Sequence, residues 1–348
     1  MGNVVFKPEL RSIKLLESED ILDIQPITKE KYTYLALTNS GKIIELNTKH
    51  ETINILFSIT DGKVEFDKDV SILISSNRNI IAVFNTFGRF GLVIDLQVKN
   101  ILMKFSRDDY YYDLTIFPIN FFMHDNRVLL MHGTKWNRLD VTDPLTGEFL
   151  TSRVDPKLSQ EHYLEFFHGQ LLVSPDGEWV VDNGWVWHPL GSVTSWNIKQ
   201  WLTKNKWESE DGESKKELWW GKEDWNDPIC WISNIKIGII GRFDIDLFDE
   251  EEIVNLPKGL VFRIIDVRDG SMIQEFNICL GKIFFDTYLY CSTKDSGLKV
   301  YDILNGKMIF EEKTIKPRIY HSRSKEFVEV KKNQITICKL IKEECNFI

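Results

Sequence analysis

Apolar and polar positions alternate in short runs along the whole chain, and an apolar–polar–apolar triplet closes run after run. The triplets are Ile44-Glu45-Leu46, Ile94-Asp95-Leu96, Leu139-Asp140-Val141, Trp196-Asn197-Ile198, Ile265-Asp266-Val267, Tyr301-Asp302-Ile303 and Cys338-Lys339-Leu340. Their central residues are 50, 45, 57, 69, 36 and 37 positions apart. Alternation with period two puts one set of side chains on each face of a strand. Its recurrence about every 45 residues, with several short strands per unit, predicts a β-propeller.

Each triplet falls where the third strand, c, of a four-stranded blade belongs. In the first unit YTYLALTN reads as strand b, KIIELNT as c and TINILFSI as d, with a turn at Ser40-Gly41. The third unit reads LTIFPI, RVLLMHG, NRLDVT and EFLTSR. The fourth reads QLLVSPDG, EWVVDNG and SVTSWNI, followed by a long excursion. The seventh supplies only RIYHS, EFVEV and QITICKL, so its outer strand is missing. The N-terminal segment VVFKPELRSIKLL has no other partner, and adding it there removes an exposed sheet edge. The expected fold is all-β: a seven-bladed β-propeller of four-stranded antiparallel blades, its ring closed by the N-terminal strand. One domain spans 1–348, with insertions at 182–192 and 199–228.

The chain resembles the WD-repeat class of propellers at Ser174-Pro175-Asp176-Gly177, an a–b turn, and at Trp196-Asn197 and Tyr301-Asp302, in the strand-c position. It has no Gly-His or Trp-Asp dipeptide, so the class's His–Asp–Trp hydrogen-bond network does not carry over. It looks like the uncharacterised bacterial WD-repeat-like proteins, and that resemblance implies a binding platform rather than a chemistry.

Composition narrows the function. The net charge of −9 disfavours nucleic acid, whose phosphates need a basic face. No apolar run is long enough for a membrane helix. The start MGNVVFKPEL has no apolar signal core, and Phe6 stands where myristoylation wants Ser or Thr. Cys230, Cys279, Cys291, Cys338 and Cys345 are scattered, with no CxxC pair, as expected of reduced thiols in a cytoplasmic protein.

The repeat breaks where the chemistry concentrates. All 11 tryptophans lie between Trp136 and Trp231, ten of them within the two longest adjoining intervals. Strands alternate in direction, so b–c and d–a loops share one face of a propeller. Four such loops gather tryptophan, tyrosine and acid: 182–189, 154–163, 221–228 and 243–252. Long loops on a rigid scaffold carry binding sites. The candidate binding residues are Tyr163, Asp182, Trp185, Trp187, His188, Trp225 and Asp227. Flat rings beside carboxylates suit sugars, cations or the side chains of a partner. Equally, Trp185 and Trp187 could form a local core, and His188 could simply bond a carboxylate.

The acidic run 244–252 lacks the order of a calcium loop and reads as a solvated loop. The excursion 199–218 reads as a solvated connector. No G-x-S-x-G, Walker, G-x-G-x-x-G or H-E-x-x-H motif occurs. The leading expectation is therefore a non-enzymatic scaffold that needs no cofactor or metal and holds a protein or peptide of basic character. The alternative is a hydrolase or lyase acting on a small or sugar-like substrate at the channel mouth, with Asp182 and Asp227 as its carboxylates.

Overall fold

A computed structural model describes residues 5–15, 19–154, 156, 161–187 and 190–343. The strands form seven antiparallel sheets, the blades of a β-propeller. The chain divides into two compact units. Met1–Ile72 with Cys279–Ile348 holds blades one, six and seven, and Leu73–Ile278 holds blades two to five, with the first strand of blade two straddling the boundary.

Burial follows strand position. Strand b of blade one, Thr33–Thr38, is buried at every residue, as is Ile80–Asn85 in blade two. These strands are covered on both faces, which is why they read as continuous apolar runs instead of alternating. Outer strands such as Met272–Asn277 stay largely exposed. Each core cluster joins neighbouring blades. Ile24, Tyr34 and Ile44 of blade one pack with Val328, Ile335 and Ile337 of blade seven.

The predicted closure is present. Val5–Lys14 pairs with Gln334–Glu343 over their full lengths, from Val5 against Glu343 to Lys14 against Gln334, and completes blade seven. Glu326 secures that seam and is fully buried. It accepts hydrogen bonds from Tyr34 Oη at 3.0 Å, Thr48 Oγ1 at 2.8 Å and Arg11 of the N-terminal strand at 3.0 Å. Lys339 adds an ion pair at 3.6 Å. Burial, and then the Glu326 charge, push the Tyr34 hydroxyl far above the ordinary phenol range.

Every triplet lies on a third strand or runs one residue past its end, but the repeating device is the turn that follows. The side-chain oxygen of Asn47, Asp95, Asp143, Asp266 or Asp302 accepts from backbone N–H groups two or three residues on. Four residues after each comes a left-handed residue: Glu51, Lys99, Gly147, Gly270 or Gly306. Asn47, Asp95 and Asp143 are therefore 48 residues apart, more regular than the triplets themselves. In blades one and three the capping residue lies beyond the triplet, so Glu45 and Asp140 do other work.

Blade three has three strands, and the expected fourth, EFLTSR, makes only an isolated bridge, Thr142 to Phe149. Side chains replace the rest of its ladder: Thr151 Oγ1 accepts from Val141 N at 2.9 Å, and Arg153 donates to Leu139 O at 3.0 Å. Arg153 also pairs with Asp140 at 3.0 Å and with Glu210.

The excursion 199–218 is not a solvated connector. It forms helices α1 (Ile198–Thr203) and α2 (Glu208–Asp211), then returns as the outer strand of blade four, Lys216–Lys222. Asn197 caps α1, and Trp201 is buried edge-on against Trp196. Glu208 is buried because Ser214 donates to it through both its backbone N and its hydroxyl, at 2.7 and 2.6 Å. Buried rings and paired acids tie this segment to the core.

Candidate functional site

The site grows from the hairpin of blade four. Its a strand, Phe167–Val173, and b strand, Trp179–Val186, pair with a bulge between Phe167 and Gln170. Two glycines permit the close approach there. A Cβ on Gly184 would lie 2.2 Å from the Phe167 carbonyl oxygen, and one on Gly169 would lie 2.1 Å from that of Asn183. The bulge lays Phe167 flat on Trp185, with ring centroids 3.9 Å apart and planes 8° apart. Trp225, from the connection into blade five, stacks on the other side at 5.1 Å. Its indole N–H donates to Leu114 O at 3.1 Å and ties that connection to the one entering blade three.

That third connection contributes rings the tryptophan count overlooks. Buried Arg107 pins its base, donating to Gly88 O at 2.9 Å, Tyr112 O at 2.6 Å and Thr115 O at 2.9 Å. Its guanidinium also lies 4.8 Å from the Phe117 ring centroid. The anchored loop turns Tyr110 and Tyr111 outward. Tyr110 stacks over Phe167 at 5.8 Å, and Tyr111 meets Trp187 edge-on at 5.2 Å. Trp136 packs on Phe167 at 4.5 Å. Tyr110, Tyr111 and Trp187 remain 43%, 42% and 42% exposed, so one ring cluster runs from core to solvent. Asp113, Glu165 and Asp224 border it in sequence, are exposed, and form no ion pair among the described residues.

The sequence-chosen residues separate on this scaffold. Trp187 is at the surface, and Trp225 and Tyr163 are half-buried. Burial, with Glu165 and Tyr110 nearby, raises the Tyr163 hydroxyl pKa. Trp185 is buried at 1% exposure and acts as the floor of the cluster. Residues 182–186 are not a loop: they extend the hairpin, with Asp182 opposite Thr194 and Val186 opposite Leu190. Asp182 is consequently buried. Its carboxylate lies 2.5 Å from His168 Nδ1 and accepts from Gly169 N at 3.0 Å. His188 lies outside the described residues.

Asp227 is also buried, in a polar layer built around Lys222. The Lys222 ammonium donates to Asn183 Oδ1 at 3.1 Å, and Asn183 donates to Asp227 O at 2.9 Å. Burial pulls the Lys222 pKa down to about 8 against the pull of Asp227 and Asp224, and burial lifts Asp227 to about 6. Between pH 8 and the ordinary lysine value of 10.5 the unfolded chain holds a proton that the folded chain has released, so stability rises with pH there. Asp227 has the opposite sign: from its ordinary 3.8 up to about 6 the folded form keeps a proton the unfolded form has lost, and stability falls as pH rises. Urea titrations at both ends of the alkaline window should show a rising midpoint in the natural protein and a smaller rise in Lys222→Met. Equal slopes would refute this account of Lys222.

Among the described residues no three His, Cys, Asp or Glu side chains converge as a metal ion would require. The acidic segment 244–252 folds into a 3-10 turn, Ile245–Leu247, and helix α3 (Glu250–Ile253), with most of its acids in solvent. Fold and surface together define a seven-bladed β-propeller whose blade-four hairpin and flanking connections present a contiguous aromatic face. No protein-family model matches the chain, and comparison with curated proteins gives no significant match.

Proposed function

We propose that this protein is a non-enzymatic scaffold propeller that binds a protein segment carrying lysine or arginine. The observation that carries the reading is the exposure of Tyr110, Tyr111 and Trp187 at the end of a ring cluster fixed from below by Trp185. Rigid aromatics standing on a packed floor are the usual anchors of protein interfaces, because little side-chain freedom is lost on binding. The exposed carboxylates of Asp113, Glu165 and Asp224 at the cluster's border favour a cationic partner, whose charge can also lie over the ring faces.

The reading includes a WD-repeat-like origin, supported by Trp196-Asn197 and Tyr301-Asp302 on third strands, and a bacterial source, which rests on the same resemblance. It includes a cytoplasmic setting, consistent with Cys291 and Cys338 as buried thiols whose pKa is pushed up to about 12 by burial. Among the described residues no helix is long and apolar enough to cross a membrane. A hydrolase or lyase would need its carboxylates open to substrate, whereas Asp182 closes on His168 and Asp227 on the Lys222 layer.

An array of lysine- and arginine-bearing peptides tests the proposal. Trp187→Ala and Tyr110→Ala should each weaken retained peptides by about tenfold or more, the loss typical of an aromatic hot spot. Unchanged binding by both variants, or a preference for acidic peptides, would remove the aromatic face from the function.

A further inference from the structure

Blades six and seven carry a cavity of about 880 Å³, large for one ion and typical of a small-molecule site. Three connections enclose it: residues 279–282 entering blade six, the turn 292–296 within it, and 316–318 entering blade seven. Lys282, Lys294, Lys316 and Arg318 all line it. The nearby carboxylates are Asp295, on the wall, and Asp23, which pairs with Arg318 at 3.4 Å. Asp23 is already engaged, because it also accepts from Ile72 N at 2.9 Å and Gln25 Nε2 at 3.2 Å. Among the described residues Lys282, Lys294 and Lys316 form no ion pair.

Four cations facing two carboxylates is unusual in a chain of net charge −9, where counter-ions are plentiful. Clustered like charges repel one another, and a bound anion removes that cost. Hydroxyl groups add neutral hydrogen-bonding partners to the wall. Thr293 and Ser296 hydroxyls bond each other at 2.7 Å, and Gly297, with φ of 77°, turns the chain away beneath them.

We propose that this cavity binds a small phosphate-bearing anion, such as a diphosphate or a phosphate ester, through Lys282, Lys294, Lys316 and Arg318. A planar guanidinium offers paired donors to two phosphate oxygens, and the lysines supply point charges around it. The acidic remainder of the chain favours a compact anion over a nucleic-acid backbone.

Calorimetric titration with inorganic pyrophosphate tests the site, with citrate as a carboxylate anion for comparison. Expected are saturable binding to one site, weakening with added salt, and a loss of about tenfold or more in Lys294→Gln/Lys316→Gln. Both lysines are exposed, so the variant should keep the natural melting temperature. Lys313→Gln, at a lysine paired with Glu311 and absent from the cavity wall, should bind as the natural protein does. The proposal is overturned if pyrophosphate does not saturate, if citrate binds as tightly, if the double variant is unaffected, or if Lys313→Gln weakens binding equally.

Discussion

Replacing Glu326 with alanine should cost about 2–4 kcal/mol of folding stability, from a buried hydroxyl left without its acceptor and the loss of charge-assisted bonds to the partly exposed Arg11. The substitution strands several groups at once. Tyr34 Oη loses its acceptor in a site without solvent, Thr48 Oγ1 keeps only Tyr32 O at 3.3 Å, and Arg11 loses the carboxylate that ties the N-terminal strand to blade seven. Glu326→Gln keeps an acceptor oxygen of the same shape and should lose about 1–3 kcal/mol, the cost of weakened charge-assisted bonds. Urea unfolding measures both. Hydrogen exchange adds a local readout, since amides in Val5–Lys14 should lose protection ahead of those in blade one. A loss below about 1 kcal/mol for the alanine variant would mean that the strand is held by its backbone ladder alone.

Trp185→Ala should be comparably severe, at about 3–5 kcal/mol, the usual cost of emptying a large aromatic site. The indole is 1% exposed and lies between Phe167 at 3.9 Å and Trp225 at 5.1 Å. Removing it opens a cavity between the blade-four hairpin and the connection that carries Trp225. Trp187→Ala should cost no more than about 1 kcal/mol, because the ring is already 42% exposed. The pair therefore separates folding from recognition: Trp185→Ala acts on both, and Trp187→Ala on binding alone. If Trp185→Ala melts at the natural temperature, the indole is not the floor of the cluster.

How far the sequence carried depended on whether a feature was local and periodic. The b strands announce themselves because both faces are covered, as in Thr33–Thr38, and the c strands because each closes on an apolar–polar–apolar triplet. The N-terminal closure followed from counting: blade seven lacked one strand, and one segment lacked a partner. The missing fourth strand of blade three was not legible, since EFLTSR has a strand's composition while Thr151 and Arg153 use side chains where a ladder would use the backbone.

At the site, Trp185 and Trp187 looked equivalent because alternate residues on a strand share a face. The strand ends at Val186, however, and Trp187 sits in the turn beyond it. Asp182 looked like a loop acid only because the hairpin runs further than the repeat suggests. Tyr110 and Tyr111 form a tyrosine run between acids, 108–113, in a d–a connection that lies outside the stretched intervals of the repeat. The cationic cavity offers no local signal, because its charges come from three separate turns.

The pairing of Val5–Lys14 with Gln334–Glu343 also has a consequence on the ribosome. The later strand is made some 320 residues after the earlier one, and at about 5–20 residues per second that interval is roughly 16–64 s. Through that time the early strand carries an unsatisfied edge and a lone Arg11, while Tyr34 and Thr48 wait for a carboxylate not yet synthesised. Chaperone occupancy of the nascent chain should accordingly persist until Glu326 and the strand after it have emerged.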